Sequence, residues 1–169
     1  MVHLYCGEGK GKTTAAMGLA LRMAGRGKRV VVAQFLKGAD SGERYALAML
    51  PQVTLLPLPE RVKFSFQLTP EEREAEQVRY LALAEQARTL AAQPDCGLLV
   101  LDEVCAAVNT GLLPLEEVIS CLDRAAGEVV LTGRDPDPAL VGRADYITEM
   151  GKLRHPFDLG TAARPGVEY

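Results

Sequence analysis

A glycine-rich segment near the start of the chain has the residue types and spacing of a phosphate-binding loop. It reads CGEGKGKTT and joins a predicted strand, Val2–Cys6, to a predicted helix, Lys12–Gly25, which is the context that such a loop requires. Glycines allow successive backbone amides to converge on one anion, and the positive end of the helix dipole points toward the same place. The segment therefore predicts a site for ATP whose contacts are Gly7, Glu8, Gly9, Lys10, Gly11, Lys12, Thr13 and Thr14.

Two side chains of this loop are expected to contact the nucleotide or its metal ion directly. Lys12 is expected to bridge phosphate oxygens as a point charge, and the hydroxyl of Thr13 is placed to ligate Mg²⁺. The usual pattern has glycine where this sequence has Cys6, and its glycine comes one place later, at Gly7. The competing interpretation is a turn that merely joins strand to helix, and it requires the GKT triplet to be accidental.

A second motif supplies carboxylates. The apolar run Leu98–Asp102 (LLVLD) is followed by Glu103, and it resembles a Walker B strand that delivers an acid to the carboxyl edge of a sheet, where ligands bind in open α/β folds. Asp102 and Glu103 are expected to hold Mg²⁺ (or Mn²⁺) directly or through water, because hard cations prefer oxygen ligands. For Asp102 the alternative is an acidic N-cap of the next helix.

Two arginines are candidates for phosphate contacts. Arg134 follows the buried strand Glu128–Thr132, and Arg22 lies on the first helix; a guanidinium pairs with phosphate bidentately. From position alone, each arginine is equally compatible with a phosphate contact and with a solvated position on the surface. The absence of an NKxD-like tetrapeptide after Glu128–Thr132 argues against a GTPase.

The rest of the chain alternates strand-like and helical runs, which predicts an α/β fold. We expect a single P-loop NTPase-like (RecA-like) domain over residues 1–169, with a mostly parallel central sheet and helices on both faces. The tail, residues 152–169, is expected to be irregular but packed, because Phe157 and Leu159 have apolar surface to bury. The other predicted strands are Arg29–Phe35, Val53–Leu58 and Tyr146–Met150, and the other predicted helices are Pro70–Ala92 and Pro114–Ala125.

Composition limits the partners and the compartment. The net charge of −3 over 169 residues provides no basic field for nucleic acid. The four cysteines match neither a zinc pair nor a redox motif, and no signal segment opens the chain, so we expect reduced thiols in the cytoplasm. No apolar run approaches the roughly 20 residues that a membrane span needs.

The order of motifs along the chain is similar to that of one family. GEGKGKTTAAMGLALR, QFLKG, LLVLDE, LPLEEVIS, LTGR and HPFDLGTAARPGVEY follow one another, and together they resemble the ATP:corrinoid adenosyltransferases of the cobA/btuR/cobO type over essentially the whole chain. The resemblance implies transfer of the 5′-deoxyadenosyl group of ATP to the Co(I) of a reduced corrinoid, with release of triphosphate, in adenosylcobalamin biosynthesis or salvage. It also implies a reductase or reduced flavin as electron donor, and a homodimer.

The same resemblance implies further residue roles. Thr14, Arg22 and Arg134 would contact phosphates, and Glu103 would act with the metal. Phe64 and Phe66, in KFSFQ, would approach the lower face of the corrin and keep a lower ligand off cobalt, which makes Co(II) easier to reduce. From the residues alone, packing of both phenylalanines in the core is favoured, since alternate residues of a strand share one face.

Two departures from the family pattern bear on closure of the site. The sequence begins at its first strand, without the N-terminal helical extension of longer relatives, and Phe66 stands where relatives can carry tryptophan. Two other functions stay open at this point. One is a small-molecule kinase or phosphatase-like NTPase, which cuts at the γ-phosphate and yields ADP; the other is a non-catalytic, ATP-responsive binding module.

Overall fold

The computed structural model describes residues 1–60, 62–63 and 65–168, and its centre is a six-stranded sheet. Every strand pair in it is parallel, and the spatial order of the strands is β3-β2-β4-β5-β1-β6. The predicted mostly parallel α/β fold is confirmed. The strands are β1 (Val2–Cys6), β2 (Arg29–Gln34), β3 (Val53–Leu55), β4 (Cys96–Asp102), β5 (Glu128–Thr132) and β6 (Tyr146–Glu149).

Helices cover both faces of the sheet. On β2, Val31 and Ala33 belong to the core under the long third helix, whereas Val30 and Val32 belong to the core under the first helix. This alternation is what a strand buried on both faces requires. The helices are α1 (Lys12–Ala24), α2 (Gly42–Leu47), α3 (Pro70–Ala91), α4 (Val104–Asn109), α5 (Leu115–Arg124) and α6 (Pro138–Arg143), with 3₁₀ turns at Ser65–Gln67 and Pro156–Leu159.

The start of α3 follows its sequence signals. The Thr69 side chain accepts a hydrogen bond from the Glu72 amide while the Glu72 side chain accepts one from the Thr69 amide, and Pro70 opens the helix. This capping box satisfies two amides that would otherwise lack partners. Further along, the buried Tyr80 hydroxyl accepts a hydrogen bond from the Leu36 amide at 2.8 Å. In this way α3 fixes the segment that leaves β2.

Several predicted details were wrong. The third strand ends at Leu55 instead of Leu58, and the short helices α2, α4 and α6 were not predicted. The tail does not bury its apolar side chains: Phe157 is 74% exposed and Leu159 is 80% exposed. In the described part of the chain, no helix has the length and apolar character needed to cross a membrane.

Candidate functional site

The glycine loop connects β1 to α1 and leaves the start of that helix open. Gly11 has φ of 116°, which favours glycine, and no side chain caps the helix there. The first amides of α1 therefore have no capping side chain, and an anion at this position would find them open. Thr14, in the first turn, is exposed.

The loop is pressed against the end of the last strand. A Cβ added to Gly9 would lie 2.6 Å from the Met150 carbonyl oxygen, and one added to Gly7 would lie 2.7 Å from the same atom. The Gly9 amide donates to this oxygen at 2.6 Å. In this structure the Gly9 amide is thus bound to protein, and the glycines serve close packing as well as phosphate access.

Lys12 lies beneath the loop with 7% of its surface exposed. Its ammonium donates to the Gly7 carbonyl at 2.7 Å and to the Gly9 carbonyl at 2.8 Å. An ammonium has three donors, so Lys12 shapes the loop and keeps one N–H for a ligand.

Asp102 joins the motifs at the carboxyl edge of the sheet. One of its oxygens, Oδ1, accepts from the Thr13 hydroxyl at 2.8 Å and from the Thr132 hydroxyl at 2.7 Å. The other, Oδ2, accepts from Gln34 at 3.1 Å and from Lys37 at 3.2 Å. Asp102 is fully buried, and these bonds fill the roughly four acceptor positions of a carboxylate. The N-cap alternative for Asp102 is wrong, because none of these partners is a helix amide.

Glu103 stands at the start of α4 in a left-handed conformation, with φ of 57° and no side-chain cap bond. Its amide donates to the Thr132 hydroxyl at 2.8 Å, and its side chain lines the cavity described below. Burial, and then the charge of the neighbouring Asp102, raise the pKa of Glu103. A cation in the cavity would favour its ionised form.

A second ionic cluster comes from the segment after β2. Lys37 donates to Glu43 at 2.9 Å, and Glu43 accepts further bonds from Ser41 at 2.6 Å and from Gln34 at 3.0 Å. Burial alone would raise the pKa of Glu43, but the hydrogen bonds from Ser41 and Lys37 and the charge of Lys37 outweigh it and lower this pKa to about 2. Burial alone would lower the pKa of Lys37. The charges of Asp102 and Glu43, and the hydrogen bonds to them, outweigh burial and raise this pKa.

The two predicted arginines are placed differently. Arg134 lines the cavity and pairs with Glu8 of the loop at 2.7 Å, with both side chains more than half exposed. It follows Gly133, where a Cβ would lie 2.5 Å from the Cβ of Cys105. Arg22 is exposed in the last turn of α1 and is not among the described residues that line the cavity.

These elements enclose a cavity of about 690 Å³ above the carboxyl edge of the sheet. The tail forms part of its wall, where Lys10 donates to the Val167 carbonyl at 2.5 Å. The lining residues are Glu8, Gly9, Lys10, Gly11, Lys12, Thr13, Thr14, Met17, Lys37, Gly42, Glu43, Glu103, Arg134, His155, Gly166, Val167 and Glu168.

The aromatic pair is only half described. Phe64 lies outside the described residues. Phe66 is 81% exposed and belongs to a 3₁₀ turn instead of a strand, so for this residue the core-packing interpretation is wrong. It does not line the cavity.

The donor set fits a hard divalent cation that also binds phosphate. Oxygen donors, the Thr13 hydroxyl and the Glu103 carboxylate, line the cavity, while Asp102 is saturated and orients Thr13. Within residues 1–60, 62–63 and 65–168, no group of three His, Cys, Asp or Glu side chains is arranged to hold a metal. A cation here would therefore need phosphate oxygens and water to complete its coordination.

Sequence reasoning missed Lys37, Glu43 and His155 as cavity residues. For Lys37 a signal existed, because β2 is parallel to β4 and its end emerges at the same edge as Asp102. Residues at the carboxyl ends of parallel strands lie where ligands bind, and this rule, which located Asp102, also applies to the residues just after Gln34. For Glu43 and His155 we find no local signal, since Glu43 lies on the short helix α2, which was not predicted, and His155 lies just before the 3₁₀ turn of the tail.

Comparison with known proteins identifies one family. The family model described as ATP:corrinoid adenosyltransferase BtuR/CobO/CobP matches residues 1–169. The chain is 36% identical to the corrinoid adenosyltransferase CobA of Salmonella typhimurium, covering 100% of this chain and 85% of that protein. It is 36% identical to a corrinoid adenosyltransferase of Pseudomonas aeruginosa (98% and 82% covered) and 33% identical to one of Escherichia coli K12 (100% and 85% covered).

Proposed function

Since the chain belongs to the ATP:corrinoid adenosyltransferase family, we propose that it transfers the 5′-deoxyadenosyl group of ATP to the Co(I) of a reduced corrinoid. In this reaction the cobalt electron pair forms a Co–C bond to C5′ as the C5′–O5′ bond breaks. The bonding pair leaves with oxygen, and intact triphosphate is released. The product serves adenosylcobalamin biosynthesis or salvage.

One observation carries this proposal: the cavity offers cations and loop amides that suit a polyphosphate, and its described lining holds no serine or thiol. The nearby thiols are buried, and burial raises the pKa of Cys6 and raises that of Cys105 to about 12. Co(I) is itself a strong nucleophile, so the protein's work is to align C5′ and to stabilise a polyanionic leaving group.

The leaving group is stabilised from several directions. Lys12 and the open amides of α1 face the triphosphate, and Arg134 reaches it from the end of β5 once its pair with Glu8 is exchanged for phosphate. Thr14 and Arg22 are assigned to phosphate contacts by family resemblance. Their positions support Thr14, which lines the cavity, more than Arg22.

A divalent cation, Mg²⁺ or Mn²⁺, completes the assignment. When bound, it supplies charge neutralisation of the triphosphate oxygens. Thr13 and Glu103 are the residues that would hold it, and Asp102 holds Thr13 in the required orientation. Phe64 and Phe66 are assigned to the lower face of the corrin, and the exposure of Phe66 supports contact with a ligand outside the nucleotide cavity.

The wider assignments rest on the family. We propose a single domain over residues 1–169 that acts in the cytoplasm as a homodimer, with a reductase or reduced flavin supplying the electron to cobalt. Four free, buried cysteines are consistent with a reducing compartment.

The test is an anaerobic reaction of the protein with chemically reduced corrinoid, ATP and Mg²⁺. The corrinoid spectrum reports formation of the Co–C bond, and the phosphate products identify the bond that breaks. Triphosphate supports adenosyl transfer. ADP would instead indicate a kinase or NTPase, and saturable ATP binding without products would indicate a binding module.

A further inference from the structure

Lys37 lines the nucleotide cavity, yet the function proposed above gives it no role. Its ammonium lies 2.9 Å from a Glu43 oxygen and 3.2 Å from Oδ2 of Asp102, and 24% of its side chain is exposed. These contacts use two of its three N–H donors. The side chain borders the open cavity, where the third donor can meet a ligand.

The backbone that carries Lys37 is held in an uncommon conformation. Leu36, directly before it, has φ of 53°, which is costly for a branched residue. The conformation is maintained by the hydrogen bond from the Leu36 amide to the buried Tyr80 hydroxyl, and Tyr80 packs edge-to-face against Phe35 at 5.2 Å. Strain that the surroundings hold in place is typical of functional positions.

Lys37 and Thr13 contact the two oxygens of one carboxylate, that of Asp102. The ammonium and the hydroxyl therefore lie on either side of a single buried group. A polyphosphate that reaches Thr13 from the loop will find Lys37 next along the same edge of the sheet.

We propose that Lys37 is a triphosphate-binding residue, which donates to a phosphate oxygen from the β2 side of the cavity while Glu43 holds its side chain in place. The inference deepens the proposed function and depends on triphosphate binding. It gives the leaving group a cationic contact on the side away from the glycine loop and Arg134. A purely structural alternative exists, in which Lys37 only neutralises Asp102 and Glu43.

The experiment is calorimetric titration with inorganic tripolyphosphate, with and without Mg²⁺, because this probe reports the phosphate site without corrinoid or turnover. We compare the wild-type protein with Lys37→Met and with a control variant, Lys28→Met. Lys28 is exposed and lies just before β2, at the amino ends of the strands, whereas the cavity lies at their carboxyl ends. A charge-assisted hydrogen bond predicts a loss of affinity of about 10- to 100-fold for Lys37→Met. The control should remain within about twofold of wild type.

A double variant separates direct contact from charge balance. Lys37→Met with Glu43→Gln removes one positive and one negative charge, so local charge is restored while the donor is still missing. If Lys37 binds phosphate, the double variant stays weak, both with and without Mg²⁺. Recovery to within about twofold of wild type would overturn the inference, as would a loss seen only with Mg²⁺.

Two further outcomes are distinguished from the role of Lys37: misfolding of the variant, and failure of the proposed function itself. If Lys37→Met does not give a cooperative thermal transition, Lys37→Gln takes its place, since it keeps an amide donor for Asp102 without the charge. Wild type that fails to bind tripolyphosphate contradicts the proposed function itself. Wild type that binds while a folded Lys37 variant binds equally well contradicts only the role of Lys37.

Discussion

Thr13 donates its hydroxyl proton to Oδ1 of Asp102 over 2.8 Å, and so joins the glycine loop to the end of a strand 89 residues away. With its proton committed to Asp102, the hydroxyl has its lone pairs left for the cavity. Asp102 is fully buried, so this orientation is fixed before any ligand arrives. If Thr13 holds a cation as proposed, Asp102 would orient this ligand without contacting the cation itself.

Removing the Thr13 hydroxyl should raise the Mg²⁺ concentration that adenosyl transfer requires. Thr13→Val keeps the shape but leaves Asp102 short of one donor, which costs about 1–3 kcal/mol of unfolding free energy. The variant should also require more Mg²⁺ for half-maximal adenosyl transfer, whereas Thr13→Ser should behave close to wild type. Denaturant unfolding and Mg²⁺ titrations of activity test this. An unchanged Mg²⁺ requirement in Thr13→Val would refute the role of the hydroxyl.

Lys12→Ala should abolish turnover for two reasons. It removes the ammonium whose remaining N–H faces phosphate, and the loss of that charge-assisted bond is worth about 10- to 100-fold in rate. It also removes the bonds to the Gly7 and Gly9 carbonyls, so the loop should loosen while the sheet stays folded. Hydrogen exchange of the loop amides, measured beside turnover, tests both effects, and Lys28→Ala is the control. Normal turnover in Lys12→Ala would show that the site is elsewhere.

The sequence predicted the parts of the site that follow from strand order. Thr13 and Asp102 were assigned to one edge because parallel strands end on the same side, and the structure places them in contact. Lys37 emerges at the same edge but follows a residue with positive φ, and no turn signal in QFLKG predicts that conformation. The bond from Gly9 to Met150 joins distant segments and has no local signature. Local patterns thus located the edge, and long-range packing determined which groups face the cavity.

Glu43 should give the stability of the protein a specific dependence on pH. Its lowered pKa, about 2, means that the folded state favours the ionised carboxylate. This stabilisation is complete above the ordinary pKa of glutamate and is lost as the pH falls toward the folded value. Glu43→Gln should therefore be less stable than wild type at neutral pH, and the difference should shrink on acidification.

Urea unfolding of both proteins between about pH 7 and pH 3 measures this difference directly. Glu74→Gln, a change of an exposed glutamate on α3, serves as the control and should differ little from wild type across the range. A gap between wild type and Glu43→Gln that stays constant with pH would mean that the hydrogen bonds from Ser41 and Lys37 and the charge of Lys37 do not favour the ionised form of Glu43 in the folded state.

Phe66 offers the sharpest separation of function from packing, because its side chain is 81% exposed. Replacing an exposed residue usually changes stability by about 0.5 kcal/mol or less, so Phe66→Ala should fold as wild type does. If Phe66 keeps a lower ligand off cobalt, the variant should be slow when the reaction starts from Co(II) with a mild reductant. Pre-formed Co(I) should largely restore the rate, since Co(I) already lacks a strongly held lower ligand.

The matched control is Met49→Ala, which changes a side chain that is 78% exposed and lies before β3, at the opposite edge of the sheet. It should leave both rates unchanged. The ratio of the rate from Co(I) to the rate from Co(II) is the informative quantity, because it cancels any general loss of active protein. A raised ratio in Phe66→Ala, and a further rise when Phe64 is also replaced, places the aromatic pair at the reduction step. Equal losses from both cobalt states would remove Phe66 from the corrin-facing surface.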